Sequence, residues 1–245
     1  MVPGWTVKSE WNGYEQLNFE VGGRGSYIVC PKEPAPNKPW VWRTEFFGAF
    51  HSVDRELLDR GWYLVYHSMA ELYGNNTAME YMVEFHEAVV REFGLSAHPV
   101  PFGFSRGGCY AVNFAYYHPD KVGALYLDAP YTNFISNPRL RETEVITNLL
   151  NAYGLTYEQL EDFHDMPNDH ATAIGEAGVP IVCVVGLADE AVPFEKNFGV
   201  FEKDFVAAGG ELLLLKKPDC GHHPHSFGDP EHVNQIADFI EKHAR

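Results

Sequence analysis

The hydrophobic and polar positions along this chain follow two alternating patterns. Short, nearly continuous apolar runs alternate with longer segments in which apolar residues recur every three or four positions. The first pattern is typical of strands buried on both faces, and the second of amphipathic helices. The clearest helix covers residues 76–93, and Gly94 ends it. The alternation predicts an α/β fold with a mainly parallel central sheet, flanked by helices on both faces.

Proline, glycine and polar residues mark the boundaries of the predicted elements. The predicted strands cover residues 25–30, 40–42, 62–67, 98–104, 122–127, 180–186 and 211–215. The predicted helices cover residues 54–59, 76–93, 107–118, 194–208 and 229–244. A sheet and its crossover helices of this size fit one domain, so we expect residues 1–245 to form a single domain.

The segment 131–178 is too long for a simple crossover between two strands. It contains two helical stretches, 141–153 and 157–163. We interpret it as a small helical insertion over the carboxyl edge of the sheet, with an extended crossover helix as the alternative. Loops at the carboxyl ends of parallel strands form the ligand site of open α/β sheets, so the segment should lie near the functional site in either case.

The charge of the chain restricts its partners more than its fold. Its 245 residues carry a formal net charge of -16 at pH 7. An acidic surface of this kind repels nucleic acid and anionic membranes, so we expect neither as a partner. The sequence shows no basic and apolar leader and no apolar run that could span a membrane, which predicts a cytoplasmic location. It leaves the oligomeric state open.

Residues 103–107 read Gly-Phe-Ser-Arg-Gly, a G-x-S-x-G pattern between an apolar strand and a helix. In this context Ser105 projects its Oγ from the tip of a sharp turn, and the flanking glycines let the chain pass close by. The N–H of Arg106 points to the space where an oxyanion could form. The alternative is an incidental serine in a glycine-rich turn.

A serine hydroxyl is a weak nucleophile and needs a base, which in turn needs an acid to orient it. Asp189 follows the predicted strand 180–186, and histidines follow the strand 211–215. Both loops leave the carboxyl ends of strands, at the same sheet edge as Ser105. The order along the chain is therefore serine, acid, histidine.

The acid has two alternatives. Asp128 ends the strand 122–127 and is the main rival of Asp189, although it could instead anchor its own loop. Glu190 is the third candidate. The chain order favours Asp189.

These stretches resemble motifs of the α/β-hydrolase superfamily, over about residues 26–245. The matching stretches are G-F-S-R-G-G, G-L-A-D-E-A-V-P and C-G-H-H-P-H-S. The resemblance implies an α/β-hydrolase fold and a serine hydrolase that requires no cofactor. The W-V-W-R-T-E-F-F-G segment and the G-H-H-P-H-S ending also resemble a bacterial group that accompanies sugar esterases and other polysaccharide-degrading enzymes.

The resemblance also favours one histidine. The family's catalytic histidine usually follows a glycine directly, so His222 is preferred over His223 and His225. A metal site in the run from Asp219 to His225 is the rival explanation. Adjacent side chains in one loop rarely converge on one ion, and the widely spaced cysteines form no C-x-x-C pair, so we expect no metal.

The second oxyanion donor should come from the loop after the strand that starts at Trp40. This loop lacks the glycine run of many esterases. We predict the backbone of Thr44 as the donor, with Glu45 as the alternative. The side chains of Arg43 and Glu45 could contact a polar substrate, or could pair with each other and stiffen the loop.

Ser105, His222 and Asp189 together predict a hydrolase of carboxylic esters that acts through an acyl-enzyme. The insertion shows no long apolar lid helix, so we expect short, acetyl-like acyl groups on a small-molecule or oligosaccharide ester. A ligand-binding protein on a hydrolase scaffold is the first alternative. A peptidase or an acyltransferase of the same fold is the second.

Overall fold

The computed structural model describes residues 5–136 and 143–244. The described residues form one nine-stranded sheet. Its strands are β1 (Val7–Trp11), β2 (Tyr14–Val21), β3 (Arg24–Val29), β4 (Trp40–Arg43), β5 (Tyr63–His67), β6 (Val100–Phe104), β7 (Leu125–Asp128), β8 (Ile181–Gly186) and β9 (Leu212–Lys217). The helices are α1 (Ser52–Asp59), α2 (Asn76–Phe93), α3 (Gly107–Tyr117), α4 (Glu144–Tyr153), α5 (Ala171–Glu176), α6 (Phe198–Ala207) and α7 (Pro230–His243).

The strand order is β1-β2-β3-β5-β4-β6-β7-β8-β9. From β5 to β9 every neighbouring pair is parallel, whereas β1, β2, β3 and β5 pair antiparallel. The predicted mainly parallel sheet is therefore confirmed, and each predicted strand has a counterpart with shifted ends. The helix predicted at 76–93 has those bounds in the structure.

Sequence analysis missed the hairpin of β1 and β2. Its turn is Asn12-Gly13, with φ of 49° and 86°. Both residues adopt the left-handed conformation that two-residue hairpin turns require, and Asn-Gly is the commonest sequence for it. The signal was therefore present, but β1 is almost entirely exposed and β2 is only partly buried, so neither strand matched the buried pattern of the central strands.

The central strands are buried because helices cover both faces of the sheet. In β4, Trp40 and Trp42 point to the face covered by α2 and α3, and Val41 points to the face covered by α1 and α7. All three side chains are buried. Burying one large apolar side chain contributes about 1.5–3 kcal/mol, so this two-sided packing fixes the strand in the sheet.

The predicted insertion at 131–178 is helical only in part. Residues 137–142 lie outside the described residues, and so does the predicted helix start at 141. The helix α4 follows, and the stretch predicted as a helix at 157–163 is a short 3₁₀ turn at Glu158–Asp162. Two buried side chains of α4, Ile146 and Leu149, attach it to the rest of the chain. Among the described residues, no helix is both long enough and apolar enough to cross a bilayer.

The turn between β6 and α3 depends on a close approach at Gly103. A Cβ at this position would lie 2.8 Å from the Cα of Gly108 and 2.9 Å from both Ala111 Cβ and Leu127 Cδ2. These neighbours belong to α3 and to β7, so they cannot move without shifting the helix or the sheet. The glycine lets α3 pack directly against β6.

We expect Gly103→Ala to lower the free energy of unfolding by about 1–3 kcal/mol, because the added methyl overpacks the contact between α3 and β6. The measurement is chemical denaturation. Gly25→Ala is the matched control, since a Cβ at Gly25 in β3 meets no atom within 4 Å. Equal stability of the two variants would contradict this explanation of the helix–sheet contact.

Candidate active site

Ser105 lies in the sharp turn between β6 and α3, with a φ of 48°. This left-handed conformation is strained for a residue with a side chain. Backbone hydrogen bonds hold it: Ser105 N–H donates to the Asp128 carbonyl, and the Ser105 carbonyl accepts from the N–H of Tyr131 and of Gly108, each at 2.9 Å. The backbone that follows β7 therefore fixes the strained turn.

The Oγ of Ser105 meets the predicted histidine. Ser105 Oγ lies 2.9 Å from His222 Nε2, and His222 Nδ1 lies 2.7 Å from Asp189 Oδ2. Asp189 Oδ1 accepts hydrogen bonds from the N–H groups of Ala191 and Val192, both at 2.8 Å. The structure thus brings the three predicted residues into one hydrogen-bonded chain.

The environment of Asp189 keeps it an acceptor. Burial opposes its ionisation, but the hydrogen bonds from His222 and from the N–H groups of Val192 and Ala191 together hold its pKa below the ordinary value. An ionised carboxylate can only accept, so Nδ1 of His222 carries the proton. Nε2 is then the acceptor for the hydroxyl proton of Ser105, as a general base requires.

The rival acid, Asp128, contacts a different histidine. Its carboxylate accepts from His225 Nδ1 and from the N–H of Ser226, both at 2.7 Å, and from Tyr126 Oη at 2.6 Å. It is fully buried at the end of β7. These contacts hold the loop after β9 against the sheet, so Asp128 anchors a loop, which was the alternative to its role as the catalytic acid. The third candidate, Glu190, is exposed beside Asp189.

The other two histidines of the loop contact each other. His223 Nδ1 lies 3.0 Å from His225 Nε2. His223 is exposed and His225 is buried. Within residues 5–136 and 143–244, no group of three or more histidine, cysteine, aspartate or glutamate side chains is arranged to hold a metal ion.

The structure corrects the prediction for Thr44. The N–H of Thr44 donates to the carbonyl of Phe102 in β6 at 3.3 Å, so the sheet already uses this donor. Its hydroxyl lies 2.9 Å from the carbonyl oxygens of Phe102 and Gly107. Glu45, the stated alternative, and Phe46 follow in the loop. No acceptor for the N–H of Glu45, Phe46 or Arg106 is found among the described residues.

Arg43 is also placed differently from the prediction. Its side chain is fully buried and pairs with Asp54 through two hydrogen bonds, Nε to Oδ1 at 2.7 Å and Nη2 to Oδ2 at 2.6 Å. The same Nη2 donates to the carbonyls of Ala49 and Phe50. Arg43 therefore ties the loop after β4 to α1 and offers nothing to a substrate.

Glu45 pairs with Arg106 and not with Arg43. Its Oε2 lies 2.6 Å from Arg106 Nε, and Glu71 pairs with Nη1 of the same arginine at 2.9 Å. Burial raises the pKa of Glu45, and the charge of Arg106 partly offsets this. Since Glu45 is 3% exposed, its carboxylate acts on Arg106 and is not open to a substrate.

Two cavities open beside Ser105, and Phe46, Ser105 and His222 line both. The first, which we call the cap cavity, has a volume of about 250 Å³. The second, the histidine cavity, has about 240 Å³. The cap cavity is completed by Arg106, Tyr131, Val145, Ala191 and Val192. The histidine cavity is completed by Phe50, Phe104, His223 and His225.

Sequence reasoning missed most of these lining residues. Val145 comes from α4, a helix of ten residues, so the insertion contributes apolar surface next to the serine although no long apolar lid helix was expected there. Phe46 and Phe50 stand in the loop after β4 and are 42% and 48% exposed. The available signal was this pair of aromatic residues in a loop at the carboxyl edge of the sheet, since large exposed apolar groups often mark a ligand site.

The fold of the chain is found in several solved structures. Dipeptidyl peptidase 4 of Porphyromonas gingivalis superimposes with a TM-score of 0.72 at 14% identity, covering 96% of this chain and 36% of the peptidase. S-formylglutathione hydrolase of Agrobacterium tumefaciens gives 0.68 at 16% identity, covering 97% of this chain and 99% of the hydrolase. A thermostable esterase of Pseudomonas putida gives 0.68 at 15% identity, covering 99% and 84%.

The chain thus spans little more than a third of the dipeptidyl peptidase, and 42% of an acylaminoacyl peptidase of Pyrococcus horikoshii. At these identities the likeness establishes the α/β-hydrolase fold. No curated protein matches the sequence. The model of the prolyl oligopeptidase family matches residues 61–245, which include the serine turn, Asp189 and the loop of His222. The chain belongs to the prolyl oligopeptidase family and has the α/β-hydrolase fold.

Proposed function

We propose that this protein hydrolyses carboxylic esters, with Ser105 as nucleophile, His222 as general base and Asp189 as the orienting acid. The observation that carries the proposal is the hydrogen-bonded chain from Ser105 Oγ through His222 to Asp189, at 2.9 and 2.7 Å. The strained turn presents the serine at the junction of two cavities. A nucleophile, a base and an oriented acid within hydrogen-bond reach are the requirements of acyl transfer.

In the proposed reaction, Ser105 Oγ attacks the acyl carbon while its proton passes to His222 Nε2. The N–H of Arg106, with that of Phe46 or Glu45, stabilises the oxyanion that forms. Nε2 then gives the proton to the leaving alcohol as the C–O bond breaks. A water molecule attacks the acyl-enzyme with the same base, and the carboxylic acid leaves as Ser105 regains its proton.

The charges around the two cavities disfavour a positively charged group next to the scissile bond. Among the described side chains that line them, Arg106 is the single arginine, lysine, aspartate or glutamate. The nearby carboxylates of Glu45 and Glu71 both pair with this arginine. A substrate with a free ammonium group near the scissile bond would find no carboxylate partner among the lining residues that the structure describes, and a buried unpaired charge is costly.

A peptidase is the second candidate, because the family model that matches is that of prolyl oligopeptidases. Both reactions use the same acyl-enzyme and differ in the leaving group. The ratio of kcat/KM for an aminoacyl p-nitroanilide to that for a p-nitrophenyl ester separates them. Faster turnover of the anilide would favour the peptidase.

We expect Ser105→Ala to lower kcat for p-nitrophenyl butyrate by roughly a thousandfold or more, because the acyl-enzyme cannot form. The hydroxyl takes no part in packing, so circular dichroism and the melting temperature should stay near those of the parent. A folded variant that keeps parental turnover would overturn the proposed nucleophile.

We expect Asp189→Asn to lower kcat by about three to four orders of magnitude, since the amide no longer fixes the tautomer of His222. Asp128→Asn is the matched comparison, because it removes the other buried aspartate of the loop cluster. The loss of kcat in Asp128→Asn should be far smaller. The measurement is kcat for an ethyl ester, made on variants whose folding is verified. The reverse order of the two losses would make Asp128 the acid.

We expect acyl groups of up to about eight carbons to be hydrolysed with higher kcat/KM than dodecanoyl groups. A cavity of about 150 Å³ holds the six carbons of one benzene ring, so the cap cavity, with about 250 Å³, holds roughly ten carbons at the same packing and cannot enclose a dodecanoyl chain. The measurement is kcat/KM across p-nitrophenyl acetate, butyrate, octanoate and dodecanoate. Val145→Trp should shift the preference towards acetate, and an unchanged profile would exclude the cap cavity as the acyl site.

A further inference from the structure

The histidine cavity has features that the proposed reaction does not use. Its walls are flat rings: Phe50 lies 4.1 Å from His225 and 5.7 Å from His223 between ring centroids, and Phe104 lies 5.4 Å from His225. Phe50 remains 48% exposed although it stands against these rings. Flat apolar walls at a cavity mouth favour a ring-shaped group with an apolar face.

A chain of hydrogen bonds runs from the buried interior to this cavity. Asp128 is fully buried and accepts from His225 Nδ1 at 2.7 Å, and His225 Nε2 lies 3.0 Å from His223 Nδ1. Tyr126 Oη and the Ser226 N–H also donate to Asp128 and hold its carboxylate in place. The chain ends at His223, which lines the cavity.

The position of the proton on each of these histidines follows from the hydrogen bond to Asp128. The carboxylate of Asp128 accepts, so the proton of a neutral His225 is on Nδ1 and its Nε2 has a free lone pair. His223 then donates from Nδ1 to His225. This leaves Nε2 of His223 without a proton, as a hydrogen-bond acceptor, and no partner for it is found among the described residues.

The position of the cavity points to the alcohol part of an ester. His222 hands its proton to the leaving oxygen, so the group bound to that oxygen must lie beside His222. His222 lines both cavities, but the histidine cavity also contains His223 and His225 of the same loop, next to Phe50 and Phe104. Beyond the shared residues, the cap cavity is lined by Arg106 and Tyr131, by Val145 of α4, and by Ala191 and Val192 of the loop of Asp189.

We propose that the histidine cavity binds the leaving alcohol of the substrate, and that this alcohol is a hydroxyl-bearing ring whose hydroxyl donates to His223 Nε2. Cyclic diols and sugars have this chemistry. Asp128 and His225 act as positioning residues, because they fix the tautomer that makes His223 an acceptor. The inference rests on the proposed ester hydrolysis and adds to it the class of the leaving group.

The test uses three butyrate monoesters, those of ethanol, cyclohexanol and 1,4-cyclohexanediol, with the released acid titrated at constant pH. All three form the same butyryl-enzyme, so differences in kcat/KM report the acylation step and the leaving group alone. We expect the order diol, then cyclohexanol, then ethanol. One hydrogen bond to an acceptor corresponds to a preference of about 3- to 10-fold for the diol ester over the cyclohexyl ester.

The variant His223→Phe keeps a flat ring and removes the acceptor. It should abolish the preference for the diol over cyclohexanol and keep the preference for cyclohexanol over ethanol. Phe50→Ala should reduce the ring preference and keep the hydroxyl preference. His164→Phe is the control, because His164 is an exposed histidine outside both cavities. This variant should rank the three esters by kcat/KM in the same order as the parent protein.

Two outcomes overturn different claims. If the parent hydrolyses all three esters without preference, or if His223→Phe keeps the preference for the diol, the leaving-group assignment is wrong while the ester hydrolysis stands. If none of the esters is hydrolysed by the parent or if Ser105→Ala hydrolyses them equally well, the proposed function itself fails. Thermal unfolding of His223→Phe and Phe50→Ala confirms that each variant is folded before its kinetics are compared.

Discussion

The site depends on the backbone constraint that holds Ser105 in a left-handed conformation. The N–H of Ser105 donates to the carbonyl of Asp128, the last residue of β7, and its carbonyl accepts from the N–H of Tyr131, just after β7. These hydrogen bonds to the end of a central strand offset the strain of the left-handed conformation. Asp128 serves this arrangement twice: its carbonyl holds the serine turn, and its carboxylate holds the loop that carries His222. One buried residue thus holds both the turn of Ser105 and the loop of His222, which explains how two distant parts of the chain keep a 2.9 Å contact.

Two aspartate–histidine pairs therefore stand in one loop cluster and have different environments. Asp189 is fastened by the N–H groups of its own loop and contacts His222, which is partly exposed to the cavities. Asp128 is buried and pairs with the buried His225. The Asp189–His222 pair borders the cavities, so it can gain and lose a charge during a reaction. A charge formed on the buried Asp128–His225 pair would be removed from water at a high cost in free energy, so this pair suits positioning better than catalysis.

The strands β3 to β9, the helices other than α5, and the three residues of the hydrogen-bonded chain could be predicted because each depends on local pattern and on one topological rule. Ser105, Asp189 and His222 follow parallel strands, and parallel strands end at a common edge. Thr44 and Arg43 were misassigned because their partners, Phe102 and Asp54, belong to other elements, 58 and 11 positions away. The two cavities were missed for a related reason, since each is assembled from side chains of several separate loops.

The most direct test of the account is the chemical identity of the covalent intermediate. The parent protein is mixed with a slowly deacylated aryl ester, quenched in acid and digested, and the acylated peptide is sequenced by mass spectrometry. The account predicts one acyl group, on Ser105, and its absence when His222 is replaced by glutamine. An acyl group on another residue, or acylation of Ser105 at the parental rate without His222, would contradict it.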